Sequence, residues 1–159
     1  MHDVPENAHT VLLTTVAASI EECFAVAIDL EAYPEWVRGI TAVTITERDD
    51  EQRPLRARFE ATAVGRRSSY ELAYDLTKAP TQLSWSLVDG DLTRRLEGAY
   101  IFEPSTTAAG PDATDVTWEL LVDLSVPLPG FVQRRAEDKI VEAAMQRFTD
   151  RVMATQQQA

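Results

Sequence analysis

Few residues in this 159-residue chain combine a reactive type with a useful position. His2 and His9 precede the first predicted strand, out of reach of a central cavity. Neither a histidine general base nor a histidine-held metal is therefore predicted. Cys23 occupies a helical position beside Phe24, away from both histidines, and reads as a buried structural thiol rather than a nucleophile. The chain contains no glycine-rich phosphate loop, dinucleotide fingerprint or serine elbow, so no cofactor is expected. Carboxylates are plentiful, but Glu60, Glu71, Asp75, Glu97, Glu119 and Asp123 alternate onto the polar side of their strands. Acid–base work would need one of them buried, with its pKa raised. Arg94 differs, because it falls in register with Leu96 and Gly98 on the apolar side. It either meets an acidic ligand at a cavity mouth or turns outward at the start of its strand.

The elements that would position such groups follow from hydrophobic periodicity. Thr10 to Ala17 is a β-branched run of strand type. Ser19-Ile-Glu-Glu22 matches a capping box and opens a short helix to Ala27. Asp29 can cap a second short helical stretch that Tyr33-Pro34 interrupts, and Glu35-Trp36 restarts a turn ending near Gly39. The period then changes to two. Strands are predicted at Ile40 to Arg48, Leu55 to Val64, Ser68 to Thr77, Gln82 to Val88, Leu92 to Glu103 and Thr114 to Leu124. Turn signals lie at Asp49 to Pro54, Gly65-Arg66, Lys78 to Pro80 and Pro104 to Asp112, with Asp89-Gly90 the clearest hairpin signal. After Val126-Pro-Leu-Pro129-Gly130, residues Phe131 to about Ala154 lack Gly and Pro and carry one apolar stripe: Ile140, Val141, Ala144, Met145, Phe148 and Val152.

Five strands each present one apolar face, which defines an antiparallel sheet with a single dry side. That side mixes small residues (Ala57, Ala61, Ala63, Gly98) with large ones bearing a polar tip (Tyr70, Tyr74, Tyr100, Trp85, Trp118). Either the aromatics fill the space the small residues leave, or a void remains. Tyr33 and Trp36 either plug the short helices onto the sheet or form part of an entrance lid.

Composition excludes several classes. With 15 Lys and Arg against 26 Asp and Glu, the net charge of −11 disfavours nucleic acid and anionic membrane surfaces. Arg56, Arg58, Arg66, Arg67, Arg94 and Arg95 are the nearest approach to a basic cluster and read as solvated strand faces. No run of apolar residues is long enough to span a bilayer. One cysteine and no secretion signal suit a reducing cytoplasm. A single domain over residues 10–155, with tails at 1–9 and 156–159, accounts for the length.

Three segments carry a family resemblance: Asp29-Leu-Glu-Ala-Tyr33-Pro34-Glu-Trp36-Val, Leu96-Glu-Gly98-Ala-Tyr-Ile-Phe102-Glu-Pro104 and Val126-Pro-Leu-Pro-Gly130-Phe131. They resemble the polyketide cyclase/dehydrase branch of the START-like superfamily, which also holds birch-pollen-allergen-like and coenzyme Q-binding proteins. The resemblance implies an α+β helix-grip fold: a curved seven-stranded antiparallel sheet wrapped around one long C-terminal helix, with two short helices after strand 1. It also implies a cavity between sheet and helix. The candidate lining from the N-terminal half is Tyr33, Trp36, Phe59, Ala61, Tyr70, Tyr74, Trp85 and Leu87. Leu96, Tyr100, Phe102, Trp118, Ile140, Ala144 and Phe148 complete it. The expected function is binding of a lipid, quinone, isoprenoid or polyketide-like molecule by a monomer or homodimer. Some relatives cyclise or dehydrate poly-β-keto chains in such a cavity, and Arg94, Tyr70, Tyr74 and Tyr100 are the weak catalytic candidates for that alternative. A protein-interaction module with a vestigial pocket is the third reading. The resemblance fixes neither the ligand nor the choice between carrier and enzyme.

Overall fold

The computed structural model describes residues 8–63, 65–91, 93–106, 113–124 and 143–156. Strand β1 (Ala8–Val16) leads into helix α1 (Ile20–Ile28), a 3-10 turn (Leu30–Ala32) and the short helix α2 (Tyr33–Trp36). Six strands follow: β2 (Ile40–Arg48), β3 (Pro54–Ala63), β4 (Arg66–Asp75), β5 (Gln82–Gly90), β6 (Thr93–Pro104) and β7 (Thr114–Leu124). A C-terminal helix, α3, occupies residues 143–156. All seven strands form one antiparallel sheet in the order β1-β7-β6-β5-β4-β3-β2.

The α1 start forms for the reason its sequence gives. The Ser19 hydroxyl accepts from the Glu22 amide at 3.1 Å, and the Glu22 carboxylate accepts from the Ser19 amide at 2.9 Å. Two orphan donors of the first turn are thereby satisfied. At the same junction, the buried Thr114 hydroxyl donates to the Ala18 carbonyl at 2.7 Å and ties the α1 entry to β7.

The sheet has the two faces that alternation predicts. Ala57 and Phe59 of β3, Leu72 and Tyr74 of β4, Leu83 of β5, Tyr100 and Phe102 of β6, and Val116 and Trp118 of β7 are all buried. Their neighbours Arg58, Glu60, Asp75, Ser86, Glu97 and Glu103 are exposed. Helix α3 covers the apolar face with Met145, Phe148 and Val152, all buried. The Phe148 ring lies 5.1 Å from Tyr100 and 6.0 Å from Trp36. Each such burial contributes about 1.5–3 kcal/mol, so three positions fix this part of the helix to the sheet.

Several local expectations are corrected. His9 does not precede the first strand but belongs to it, with Leu121 as its β7 neighbour. Pro34 does not interrupt a helix; it lies in the first turn of α2, where its missing N–H has no helical partner to lose. Asp29 makes no side-chain cap on the 3-10 turn. Arg66 begins β4 and leaves the preceding turn to Gly65, whose φ is 74°. The Asp89-Gly90 pair is not the hairpin turn: β5 runs through Gly90, which sits opposite Tyr70 beyond a bulge at Glu71/Leu72. Asp91 turns the chain instead, its carboxylate accepting from the Ser69 amide and the Ser68 hydroxyl. Helix α3 extends past Ala154 to residue 156. The expectations for 1–7, Val64, Leu92, the exit at 126–130, the helix over 131–142 with Ile140, and 157–159 lie outside the described residues.

Candidate functional site

The concave face gathers the polar-tipped aromatics of the chain. All four tyrosines and all three tryptophans named by the sequence point into one interior region. Tyr33 and Trp36 come from α2, Phe59 from β3, Tyr70 and Tyr74 from β4, Trp85 from β5, Tyr100 and Phe102 from β6, Trp118 from β7 and Phe148 from α3. Tyr100 stands at the centre. Its ring centroid is 5.6 Å from Trp85, 5.8 Å from Phe102, 6.2 Å from Trp118 and 5.1 Å from Phe148. At the α2 end, Tyr33 meets Trp36 edge-on at 5.1 Å, and Phe59 stacks on Tyr70 at 5.4 Å. These are the separations at which aromatic pairs attract beyond simple burial. Ala61, Leu87, Leu96 and Ala144 are half-buried on the same face.

The polar tips set the electrostatics. Burial pushes the Tyr70 hydroxyl up to about 12 and those of Tyr33, Tyr74 and Tyr100 well above the ordinary tyrosine value. Mutual repulsion of the phenolates adds to burial at Tyr33 and Tyr74. All four are thus hydrogen-bond donors throughout the neutral range. Tyr33 uses its proton on the Ala27 carbonyl, which pins α2 to the end of α1. Among the described residues, two buried side-chain donors have no partner: the indole Nε1–H groups of Trp36 and Trp118. A buried donor left unpaired costs about 1–3 kcal/mol, so each of these two indoles favours an acceptor brought to it.

Part of the space left by small residues is filled. A Cβ built on Gly98 would lie 2.4 Å from Trp85 Cζ2, so the indole occupies the volume a side chain would need. Arg94 does not share the interior. Its side chain is 64% exposed and its guanidinium donates to Asp123 at 3.2 Å on the polar side of β7. The register shift between Thr93 and Arg95 breaks strict alternation there. Cys23 is buried, its thiol pushed up to about 11 by desolvation. Among the described residues, no group of His, Cys, Asp and Glu is arranged to hold a metal ion. No helix among them is long and apolar enough to cross a membrane.

Sequence reading missed a polar rim where α2 meets α3. There Glu35, Trp36, Arg147, Asp150 and Arg151 line a surface depression of about 220 Å³, bridged by an Arg151–Glu35 ion pair at 3.0 Å. The signal was present as Arg147 and Arg151 one helical turn apart beside the apolar stripe. A second depression, of about 280 Å³, lies over β5, β6 and β7, with Ser84, Ser86, Glu97 and Glu119 among its lining residues.

A curled antiparallel sheet holding a C-terminal helix against an aromatic-rich concave face defines the helix-grip class. The chain belongs to the polyketide cyclase/dehydrase and lipid transport family, whose model matches residues 16–149. No curated protein matches the chain in sequence. Among solved structures, a START superfamily protein from Mycobacterium smegmatis is 25% identical, with a TM-score of 0.82 over 92% of this chain and 98% of that one. A protein from Thermus thermophilus is 22% identical, with a TM-score of 0.71 over 93% and 99%. The Zhui aromatase/cyclase from Streptomyces sp. R1128 shares the fold at 13% identity, with a TM-score of 0.75 over 92% and 94%.

Proposed function

We propose that the chain binds a hydrophobic small molecule (a lipid, quinone, isoprenoid or polyketide-like compound) between its sheet and C-terminal helix. The observation that carries this reading is the pair of buried indole N–H groups, Trp36 and Trp118, unpartnered among the described residues in an interior of aromatic and aliphatic side chains. A ligand with an apolar body and a carbonyl or ether oxygen supplies the missing acceptor and releases the penalty of the orphan donors. The protonated tyrosines extend the same donor-rich, charge-free environment. In this reading Ala61, Leu87, Leu96 and Ala144 line the ligand, and Tyr33 and Trp36 stand at the entrance.

The tyrosines also favour one second reading. A phenol held protonated can polarise a substrate carbonyl, and the Zhui structure bears the name of an aromatase/cyclase. Tyr70, Tyr74 and Tyr100 are the residues that would do so here, by fixing a poly-β-keto chain in one folded shape.

Native mass spectrometry of the purified protein, followed by titration with a long-chain quinone and a fatty acyl ester, tests the binding reading. All three tryptophans report on the site by fluorescence. The expected result is a co-purified adduct or a saturable shift in tryptophan emission. Absence of any adduct, together with no saturable shift for either probe, defeats the proposal. Turnover of a poly-β-keto mimic, lost in Tyr100→Phe with binding retained, would move the assignment to the enzyme.

A further inference from the structure

One end of the sheet lacks the features that keep strand edges apart. β1 is an edge strand of nine residues, and its sequence Ala-His-Thr-Val-Leu-Leu-Thr-Thr-Val contains no Asp, Glu, Lys, Arg or Pro. Natural edges are blunted by charge, proline, bulges or brevity, because an open row of N–H and C=O groups is a template for another strand. The opposite edge has such devices. β2 pairs with β3 through register shifts at Ile40/Ala42, Ile45/Glu47 and Glu47/Arg48, and it ends in a charged Glu47-Arg48 pair. β1 pairs with β7 with no shift at all. On the outward face of β1, Val11 is 51% and Leu13 68% exposed, the two largest such exposures of a bulky apolar side chain among the described residues.

We propose that β1 is a dimerisation edge, which takes β1 of a second copy of this chain as its antiparallel neighbour across a twofold axis at Leu12. The strand is self-complementary about that point. Leu12 is the middle residue of Ala8–Val16, so the register that pairs the full strand is centred on it. That register sets Val11 opposite the partner's Leu13 and Leu13 opposite the partner's Val11, so the exposed apolar pair of each copy covers that of the other. On the other face Thr10 meets the partner's Thr14. Apolar and threonine cross-strand pairs of this kind stabilise sheets, and a patch that meets its own copy closes into a dimer rather than a fibre. Charge selects the same edge. At −11 per chain two copies repel over most of their surfaces, and a strand free of charge is where they approach with least opposition. The pairing is independent of the pocket and of what it binds.

Analytical ultracentrifugation of the full chain, at concentrations up to about 100 µM, reads the association directly. The expected result is a concentration-dependent dimer whose fraction rises with added salt, since salt screens the repulsion between the acidic copies. Leu13→Lys, on an exposed side chain, should leave the circular dichroism spectrum and melting temperature unchanged and weaken association at least tenfold. The Val11→Cys/Leu13→Cys double variant, oxidised at the same concentration, should give a covalent dimer whose mapped disulfide joins position 11 to position 13 of the other chain. A monomer at every concentration overturns the proposal. So does a dimer indifferent to Leu13→Lys, and so does a disulfide joining 13 to 13, which would mark a different register.

Discussion

Gly98→Ala isolates one steric relation on which the interior depends. In most extended strands this change would be neutral or favourable, because alanine reduces the freedom of the unfolded chain by about 0.4–1 kcal/mol. Here the added Cβ would stand 2.4 Å from Trp85 Cζ2, 2.6 Å from Cε2 and 2.8 Å from Nε1. Ordinary contact begins near 3.4 Å, so the indole must withdraw by about 1 Å. It has little room to do so. Its ring centroid lies 6.0 Å from Tyr74 on one side and 5.6 Å from Tyr100 on the other, and Tyr100 is itself held by Phe102, Trp118 and Phe148. Overpacking of this kind costs about 1–3 kcal/mol. Set against the entropic gain, the net loss is about 0–2.6 kcal/mol, which for a chain of this size lowers the melting temperature by up to roughly 10 °C.

The same mutation in a Trp85→Leu background has a different sign. With the indole gone, the three closest contacts of the new methyl group are removed, and Gly98→Ala should be neutral or mildly stabilising. A double-mutant cycle by urea unfolding therefore yields a coupling of about 1–3 kcal/mol between positions 85 and 98. Equal penalties in both backgrounds would refute the steric account, and so would a Gly98→Ala protein at least as stable as the parent with its tryptophan emission unmoved. Either outcome would mean that Trp85 is not seated in the glycine gap and that the space on the concave face is larger than the structure implies.

Three further expectations rest on separate observations. Ser19→Ala removes the capping box at α1 and should destabilise the protein by about 1 kcal/mol in denaturant unfolding, with Ser19→Asp largely preserving stability. Thr114→Val leaves the buried Ala18 carbonyl without its donor and should cost about 1–3 kcal/mol, whereas Thr114→Ser keeps the 2.7 Å bond and most of the stability. The tyrosines impose an alkaline limit: unfolded tyrosine ionises near 10, whereas burial holds Tyr70 at about 12. The unfolded state therefore releases its protons first, and the stability these groups confer is complete below pH 10 and lost as pH rises from 10 toward 12. Phenolate absorbance should appear together with the loss of secondary structure; smooth titration near pH 10 in the folded protein would contradict burial.

What the sequence disclosed and what it hid divide along a physical line. Alternation is a property of single strands, and it assigned the buried face at Phe59, Leu72, Tyr74, Tyr100, Phe102, Val116 and Trp118 because each strand keeps period two over the span that holds them. The capping box was legible for the same reason: its hydrogen bonds join residues three apart. Misreadings occurred where a second strand decides the outcome. Asp89-Gly90 has the composition of a turn, but β5 continues two pairs beyond the bulge at Glu71/Leu72, to Tyr70 opposite Gly90. Arg94 is in phase with Leu96, yet the register shift beside Arg95 and the carboxylate of Asp123 across the sheet draw it to the solvent side. Gly98 was left open rather than misread. A glycine on an apolar face is compatible with a void or with a neighbour that fills it, and only the rotamer of Trp85 on the adjacent strand decides that the room is taken. Pocket volume is a difference between side-chain volumes on elements distant in sequence, so no periodicity encodes it. The donors that lack partners, Trp36 on α2 and Trp118 on β7, were likewise visible as residue types but not as orphans, since that status depends on everything packed around them.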